Sequence, residues 1–159
     1  MPIQRSEQQQ KDVVNIIGQL TLNWLEGHLE CTCAFLDDFL VAYIPWADER
    51  IEGREDFVRV FTEVRATLDI SRYDLLGFSV RVYGDLAIAH CGLNIEYRSD
   101  LGRQRQCGTD LLVFVLRKGT WRLVRRSIVL ETHRQCTQVH RAFETAGGKA
   151  APRDEAAGE

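Results

Sequence analysis

The sequence has little that would place the protein in a membrane or on a nucleic acid. Its longest apolar run, Leu111 to Leu116, is too short to span a bilayer. The N-terminal segment Met1 to Asp12 is polar and rich in glutamine, without the apolar stretch of a secretory signal. The formal net charge is −3, so there is no excess of basic residues to hold nucleic acid or anionic lipid. We therefore expect a cytoplasmic protein that binds neither nucleic acid nor membrane.

The cysteines form no organised pattern. The chain has 5 of them, and an odd number without a signal peptide favours reduced thiols. His28, Cys31 and Cys33 are close enough in sequence to begin a metal site, but no other histidine or cysteine pair has a matching spacing. Small thiols more commonly fill gaps between a helix and a sheet. We therefore predict no metal and no cofactor.

Strands are concentrated in one block, from Val80 to Leu130, with predicted helices before and after it. Three short turns separate the strands of this block: Gly84-Asp85, Asp100-Leu101-Gly102 and Lys118-Gly119. Grouped strands with helices outside the group are typical of α+β folds. The sequence therefore predicts a cone-like, curved antiparallel sheet with the N-terminal helices packed on its concave face.

Helical spacing of apolar residues marks the elements outside that block. The predicted helices run from Val13 to Trp24, from about Leu29 to Leu36 and from Arg54 to Leu68, with a last helical pattern from Cys136 to Phe143. The length of the chain fits one domain. We expect a flexible N-terminus over residues 1–12, a folded domain over residues 13–143 and a disordered tail over residues 144–159.

The strand predicted from about Gln104 to Arg117 is apolar on both faces from Leu111 onward. A strand that is covered on both sides needs more than helices on one side of the sheet. A second subunit is the simplest cover. The pattern therefore predicts a homodimer through the outer face of the sheet.

Three stretches of the chain resemble the nuclear transport factor 2-like superfamily, in particular its SnoaL-like branch. Leu36-Asp37-Asp38-Phe39, followed by Glu52-Gly53-Arg54-Glu55-Asp56-Phe57, is similar to the entry strand and the start of a helix. Val80 to Ala89 is similar to the central hairpin, and Gly119 to Val124 to the last one. The resemblance covers roughly residues 13–130 and implies the cone fold. It implies no single function, because the superfamily holds isomerases, cyclases, dehydratases, kinase-association domains and transport factors.

The resemblance to ketosteroid isomerases of this superfamily ends at their catalytic positions. Tyr43 or Ile44 occupies the place of their carboxylate base, and the place of their oxyanion-donating tyrosine lies close to Leu20. Their second donor, an aspartate, falls in the stretch Thr109 to Leu112, where the best-fitting register gives Leu112 or Thr109 and Asp110 is only nearby. Proton abstraction next to a carbonyl needs a base and a donor that face one point. The resemblance therefore implies a ligand-binding domain without the standard catalytic groups.

Polar and aromatic residues remain as candidates for a site. His90, in a central strand between two small residues, is the first catalytic candidate and is expected to line the cup, with Asp38 or Asp110 as a partner carboxylate. The ordinary alternatives are a half-exposed histidine and an aspartate that turns or caps the chain. The candidate ligand-binding residues are Trp24, Tyr43, Tyr73, Asn94, Trp121 and Arg125.

Three arginines occur in the last predicted strand, Arg122, Arg125 and Arg126. Because successive side chains of a strand point to opposite faces, these three cannot form one patch. The alternation places Arg125 on the face of Trp121. Arg125 could then pair with Asp110 or Glu96, or hold an anionic group of a ligand.

Three functions are consistent with these residues. The first is binding of a small apolar or aromatic molecule in the cup. The second is a cofactor-independent isomerase, cyclase or dehydratase that uses His90 with a carboxylate, and the third is a dimeric association module. Convergence of His90 and a carboxylate on an enclosed cavity would favour the enzyme. A cup filled by leucine, phenylalanine and tryptophan side chains would favour association.

Overall fold

The computed structural model describes the backbone of residues 2–131 and the side chains of residues 6–131. Its elements are helix α1 (Pro2–Glu26), a 3₁₀ helix (Leu29–Phe35), strands β1 (Leu36–Tyr43) and β2 (Ile51–Glu52), helix α2 (Arg54–Thr67), and strands β3 (Asp69–Tyr83), β4 (Leu86–Ser99), β5 (Gly102–Arg117) and β6 (Thr120–Leu130). The last predicted helix and the predicted tail lie outside the described residues.

The six strands form one curved sheet in the order β2-β1-β6-β5-β4-β3. Strands β3 to β6 pair with their sequence neighbours as an antiparallel meander. Strand β1 pairs with β6 in parallel and with the short β2 antiparallel. The predicted α+β fold, a cone-like sheet with N-terminal helices, is confirmed.

The hairpin between β5 and β6 shows how a local sequence sets the strand pairing. Lys118 and Gly119 both have positive φ, 50° and 79°. A two-residue turn with positive φ at both positions matches the right-handed twist of the flanking strands. Glycine adopts a positive φ without steric cost. Lys118, the other residue of the turn, adopts it although it has a side chain. The turn fixes the pairing of Arg117 with Thr120.

Helix α1 is longer than its apolar stripe suggests. It begins at Pro2, so the segment predicted to be a flexible N-terminus is helical up to the stripe. Val13, Ile17 and Trp24 are buried against the sheet and the other helix, as their spacing predicts. Gly27, with φ of 81°, follows the end of the helix.

Burial along β4 separates the two faces of the sheet. Ala87, Ala89 and Cys91 are fully buried, whereas the residues between them are exposed. Since side chains alternate along a strand, the buried set defines the concave face, which packs against the helices. Phe57 and Phe61 of α2 belong to the same buried core.

A β-bulge between β5 and β6 changes which arginine points inward. Phe114 pairs with Leu123, but Val113 pairs with Arg125, so one extra residue is present on β6. Leu123 and Arg126 are therefore both buried on the concave face, while Arg125 is exposed. The expected alternation, with Arg125 sharing the face of Trp121, is wrong because it assumed a regular strand.

The outer face of the sheet is apolar and partly exposed. Leu86, Ile88 and Val129 have 37%, 36% and 62% of their surface exposed. Val113 lies opposite Ile88 on the outer face and is half-buried, whereas Phe114 points into the core. A second subunit on this face stays a prediction.

Three of the cysteines are free thiols: Cys31, Cys33 and Cys91. Cys107 is disulfide-bonded, so the expectation of reduced thiols does not hold for that residue. Within residues 2–131, no group of three or more histidine, cysteine or acidic side chains could hold a metal ion. No described helix has the length and apolar character needed to cross a membrane.

Candidate functional site

The centre of the concave face holds a buried ion pair. Asp110 is fully buried and Arg126 is 5% exposed. Arg126 Nη2 donates to Asp110 Oδ2 at 2.6 Å, and Arg126 Nε is 3.2 Å from both carboxylate oxygens. This two-pronged arrangement is the strong geometry for a guanidinium and a carboxylate.

The two partners reach each other from neighbouring strands. Asp110 is opposite Cys91 on one side and Ile128 on the other, so it lies on the concave face. Arg126 reaches that face through the β-bulge described above. Bulges commonly re-aim a side chain next to a functional site.

Aromatic rings of both helices enclose the pair. The guanidinium carbon of Arg126 lies 5.1 Å from the centre of the Phe61 ring, a cation–π distance. Trp24 Nε1 donates to the backbone oxygen of Phe61 at 2.7 Å, which ties α1 to α2 at this point. The Trp24 ring meets Tyr73 edge-on, with 5.2 Å between the ring centres.

Tyr73 and Cys91 complete the cluster. Burial raises the pKa of the Tyr73 hydroxyl, and the charge of Arg126 opposes that shift. Burial, followed by the charge of Asp110, raises the pKa of the Cys91 thiol to about 12. Burial would lower the pKa of Arg126, but Asp110 and then Tyr73 raise it above its ordinary value. Tyrosine and thiol are therefore neutral at pH 7, next to a charged pair.

This chemistry favours holding a ligand over proton abstraction. Both oxygens of Asp110 accept hydrogen bonds from Arg126, so the carboxylate is not poised as a general base. Tyr73 keeps its proton and can donate it in a hydrogen bond. The Tyr73 hydroxyl is buried near the pair, although the residue as a whole is less covered than Asp110 or Arg126.

His90 and Asn94 do not line the cup. His90 is exposed on the outer face, directly opposite Leu111 of β5. Its neighbours Ala89 and Cys91 point inward, and alternation along the strand turns the imidazole outward. Asn94 is also on the outer side; it is 7% exposed, and its Oδ1 has no hydrogen-bond partner. The expected position of His90 inside the cup is thus corrected.

The other predicted residues divide between the core and the surface. Trp24 and Trp121 are each 4% exposed and belong to the core around the concave face. Asp38 is a surface group whose Oδ1 is 2.8 Å from Nη2 of Arg54, at the start of α2. It takes no part in the Asp110 cluster.

Arg125 and Tyr43 lie together at the outer surface. The Arg125 guanidinium carbon is 5.5 Å from the centre of the Tyr43 ring. Tyr43 is 41% exposed. Arg125 does not pair with Asp110, because Arg126 occupies that position. The other suggested partner, Glu96, is held by arginines 103 and 105 of β5.

Two of the surface grooves among the described residues lie away from the buried cluster. One, of about 310 Å³, lies between α1 and β3 and is lined by Val14, Phe78, Val80 and three polar side chains of α1. The other, of about 470 Å³, lies at the start of α2 and is lined by Asp38, Arg54, Gly53 and three acidic residues. Neither contains Asp110 or Arg126.

Arg126 is the functional candidate that the sequence pattern missed. Its neighbour Arg125 was favoured because alternation from Trp121 leads to that residue. The useful signal was chemical: an aspartate in the middle of an apolar strand needs a cationic partner when it is buried. That requirement identifies Asp110 as paired, but not which arginine pairs with it.

The fold agrees with a comparison of the chain with known families. The SnoaL-like domain family matches residues 23–129. The chain belongs to the SnoaL-like family. The suspected membership of the nuclear transport factor 2-like superfamily is confirmed, and no curated protein matches this SnoaL-like chain.

Solved structures with the same fold differ in their described roles. A Mycobacterium tuberculosis protein of unknown function has a TM-score of 0.71 and 13% identity, over 82% of this SnoaL-like chain and 76% of that one. The S. rosetta CaMKII hub has a TM-score of 0.66 and 18% identity, over 76% and 95%. A Streptomyces avermitilis protein suggested to be a dehydratase has a TM-score of 0.63 and 18% identity, over 74% and 93%. At these identities the likeness shows the fold alone.

Proposed function

We propose that this domain binds a small, largely apolar or aromatic molecule on the concave face of its sheet. The observation that carries the proposal is the buried Asp110–Arg126 pair, with Tyr73 beside it, among aromatic side chains. Ligand sites are mostly apolar concavities with a few convergent polar groups. Titratable groups with strongly shifted pKa values also concentrate at functional sites.

Fold stability alone gives a weak reason for this pair. Removing two charges from water costs free energy that their mutual attraction only partly offsets. A well-packed apolar pair of similar volume is commonly as stable or more stable. A role in positioning a ligand gives the pair a reason to occupy the centre of the cup.

Catalysis is the weaker alternative for this cluster. The similar structures include a suggested dehydratase, which supports dehydration as the reaction class to consider. In this chain, however, His90 does not converge with a carboxylate, and Asp110 is engaged on both oxygens. Binding without turnover therefore accounts for the geometry with fewer assumptions.

Native mass spectrometry of the purified protein tests the proposal. We expect a co-purified organic molecule that is released on unfolding and that is displaced by small aromatic compounds. Replacing Ala89, a fully buried residue of the concave face, with Phe should reduce the bound fraction, and its melting temperature must show that the variant is still folded, because added volume can overpack the core. The matched control is Ile88→Phe, one residue away on the outer face, which should leave binding unchanged. Equal loss in both variants would contradict a site on the concave face.

A second function, self-association, is favoured by the outer face of the sheet and by the leucine, phenylalanine and tryptophan side chains that fill the concave face. In one row across four strands, Ile88 and Val113 lie between Arg81 and Arg125. Exposed apolar patches rimmed by polar residues commonly mark protein interfaces. The similar structures include the S. rosetta CaMKII hub and the association domain of C. elegans CaMKII. A homodimer through this face would cover the patch.

Light scattering of the full chain at micromolar concentration tests the dimer. Val113→Asp puts a charge at the centre of the patch and should give a monomer. Leu101→Asp adds the same charge at a hairpin tip that is 90% exposed, and should leave the assembly unchanged. A stable monomer of the unmodified chain would contradict the prediction.

A further inference from the structure

We propose that the chain after β6 docks on the outer face of the sheet, and that a disulfide between Cys107 and Cys136 fastens it there. The occupant is the segment of residues 132–143, which follows directly on the described part of the chain. The docking surface lies on the opposite face of the sheet from the ligand site proposed above, so it does not depend on that site.

The docking surface is a row of four residues that crosses the sheet near the end of β6. Asp74 pairs with Asn94 across β3 and β4, and Asn94 pairs with Cys107 across β4 and β5. The backbone nitrogen of Glu131 donates to the backbone oxygen of Cys107 at 2.8 Å, which places the exit of the chain beside the cysteine. Alternation from Val129 puts Glu131 on the same outer face. We call these four residues the terminal row.

The terminal row is covered more than the rest of the outer face. Ile88 and His90 are exposed, whereas Asn94, further along the same strand, is only 7% exposed. Cys107 is 8% exposed, although the helices of residues 2–131 pack on the other, concave face. Asn94 Oδ1 and Glu131 Oε2 are both buried without a hydrogen-bond partner. The row therefore has a cover on its outer side and two acceptors that a donor can satisfy.

The cysteines identify what fastens this cover. Cys107 is disulfide-bonded, and three other cysteines are free thiols. The chain has 5 cysteines, so Cys136 is the partner that remains. As a helix, the step from Glu131 to Cys136 covers about 7.5 Å. Because Glu131 lies beside Cys107, that step suits a bond between cysteines whose Cα atoms are about 4.4–6.8 Å apart.

The composition of residues 132–143 complements the terminal row. The segment contains two arginines, two histidines and no acidic residue. Guanidinium groups can only donate, which matches the unpartnered oxygens of Asn94 and Glu131. Val139 and Phe143 follow Cys136 at helical spacing, so the face that carries the disulfide also carries apolar side chains toward the sheet.

The disulfide makes the docking depend on redox state. Its formation removes two protons and two electrons from the thiols of Cys107 and Cys136. A small disulfide such as oxidised glutathione accepts them and leaves as two thiols. Reduction reverses this exchange, and the segment is then held by hydrogen bonds, charge and apolar contact alone.

Peptide mapping of the full chain, oxidised with glutathione disulfide, tests the pairing. After alkylation of the free thiols and digestion with trypsin, we expect the peptide of residues 106–117 joined to that of residues 135–141. An alkylated Cys107, or residues 106–117 joined to a second copy of the same peptide, would overturn the pairing. A covalent dimer on a non-reducing gel would show that a second subunit, and not the same chain, covers the row.

Limited digestion with trypsin tests the docking itself. Cleavage after Arg134 and Arg141 should be about tenfold slower in the oxidised protein than in the reduced protein or in Cys136→Ser. Loss of the bond should also lower the melting temperature by roughly 10 °C, and the melting curves show that each form is folded. Cys31→Ser is the control, because it removes an exposed free thiol and should change neither quantity. Equal cleavage rates in oxidised and reduced protein would overturn docking even if the disulfide is present.

Discussion

Removing one partner of the Asp110–Arg126 pair should destabilise the protein far more than removing both. Asp110→Leu leaves a guanidinium that is 5% exposed without its carboxylate. Arg126→Met leaves a fully buried carboxylate without its cation. An unpaired buried charge of this kind costs about 3–5 kcal/mol. That is a large part of the roughly 5–15 kcal/mol by which domains are stable.

The double variant Asp110→Leu/Arg126→Met should recover most of that loss. Both replacements are apolar and of similar volume, and a methionine side chain can still contact the Phe61 ring. Replacing a buried pair in this way is commonly neutral or stabilising by about 1–4 kcal/mol. We therefore expect the free energy of unfolding of the double variant to lie within about 1 kcal/mol of the unmodified protein.

Urea unfolding followed by circular dichroism measures the effect. With an m value of about 2 kcal/mol/M, a loss of about 4 kcal/mol lowers the midpoint by about 2 M. Arg59→Met removes exposed ion pairs to Asp56 and Glu63 on α2, and should leave the midpoint unchanged. A double variant no more stable than the weaker single variant would refute the reasoning, because the pair would then be needed for the fold itself.

Four further outcomes are expected. Burial raises the pKa of Cys91 from 9.0 to about 12, so at pH 8 its thiolate is about a thousandfold rarer than that of an ordinary cysteine. Ellman's reagent should therefore label exposed Cys31 and not Cys91 in the folded protein. The stability that this raised pKa contributes is complete below pH 9 and is lost as the pH rises toward 12. The urea midpoint should therefore fall over that range, and a midpoint that rises would contradict the prediction. Gly108→Ala should destabilise the protein by about 1–3 kcal/mol or more, because the new Cβ would lie 2.1 Å from a backbone oxygen of β6. Gly92→Ala, whose Cβ would lie 3.4 Å from its nearest atom, should cost less stability in the same urea assay. Deleting residues 147–159 should shift the melting temperature very little, because their composition offers little apolar area, and a fall of many degrees would show that they dock on the domain.

The order of the elements followed from local chemistry. The apolar stripes of the two helices, the glycine turns and the alternating strands each carry their own signal within a few residues. The predicted helix from Arg54 to Leu68 is confirmed as α2, and the Lys118-Gly119 turn joins β5 to β6 as expected. The fold was predictable because each of these local preferences favours the element that is found at that place in the final structure.

The candidate site was predicted less well, because its residues depend on which face each strand presents. One extra residue in β6 turned Arg126 inward and left Arg125 outside. No glycine or proline marks that bulge, so period-two alternation gave the wrong arginine. His90 was predicted to line the cup because its neighbours Ala89 and Cys91 are small. Their small size only indicated that those two neighbours are buried, and it did not fix the direction of the imidazole.

The sequence by itself determined the fold class, the family and the presence of a carboxylate within an apolar strand. Those properties depend on residue type and short spacing, which the chain carries wherever it folds. Only the tertiary structure decided that Asp110 meets Arg126, that Phe61 covers the pair and that the Tyr73 hydroxyl is buried near them. These contacts join residues from four separate elements, and their geometry depends on sheet curvature, on the bulge and on how the helices dock.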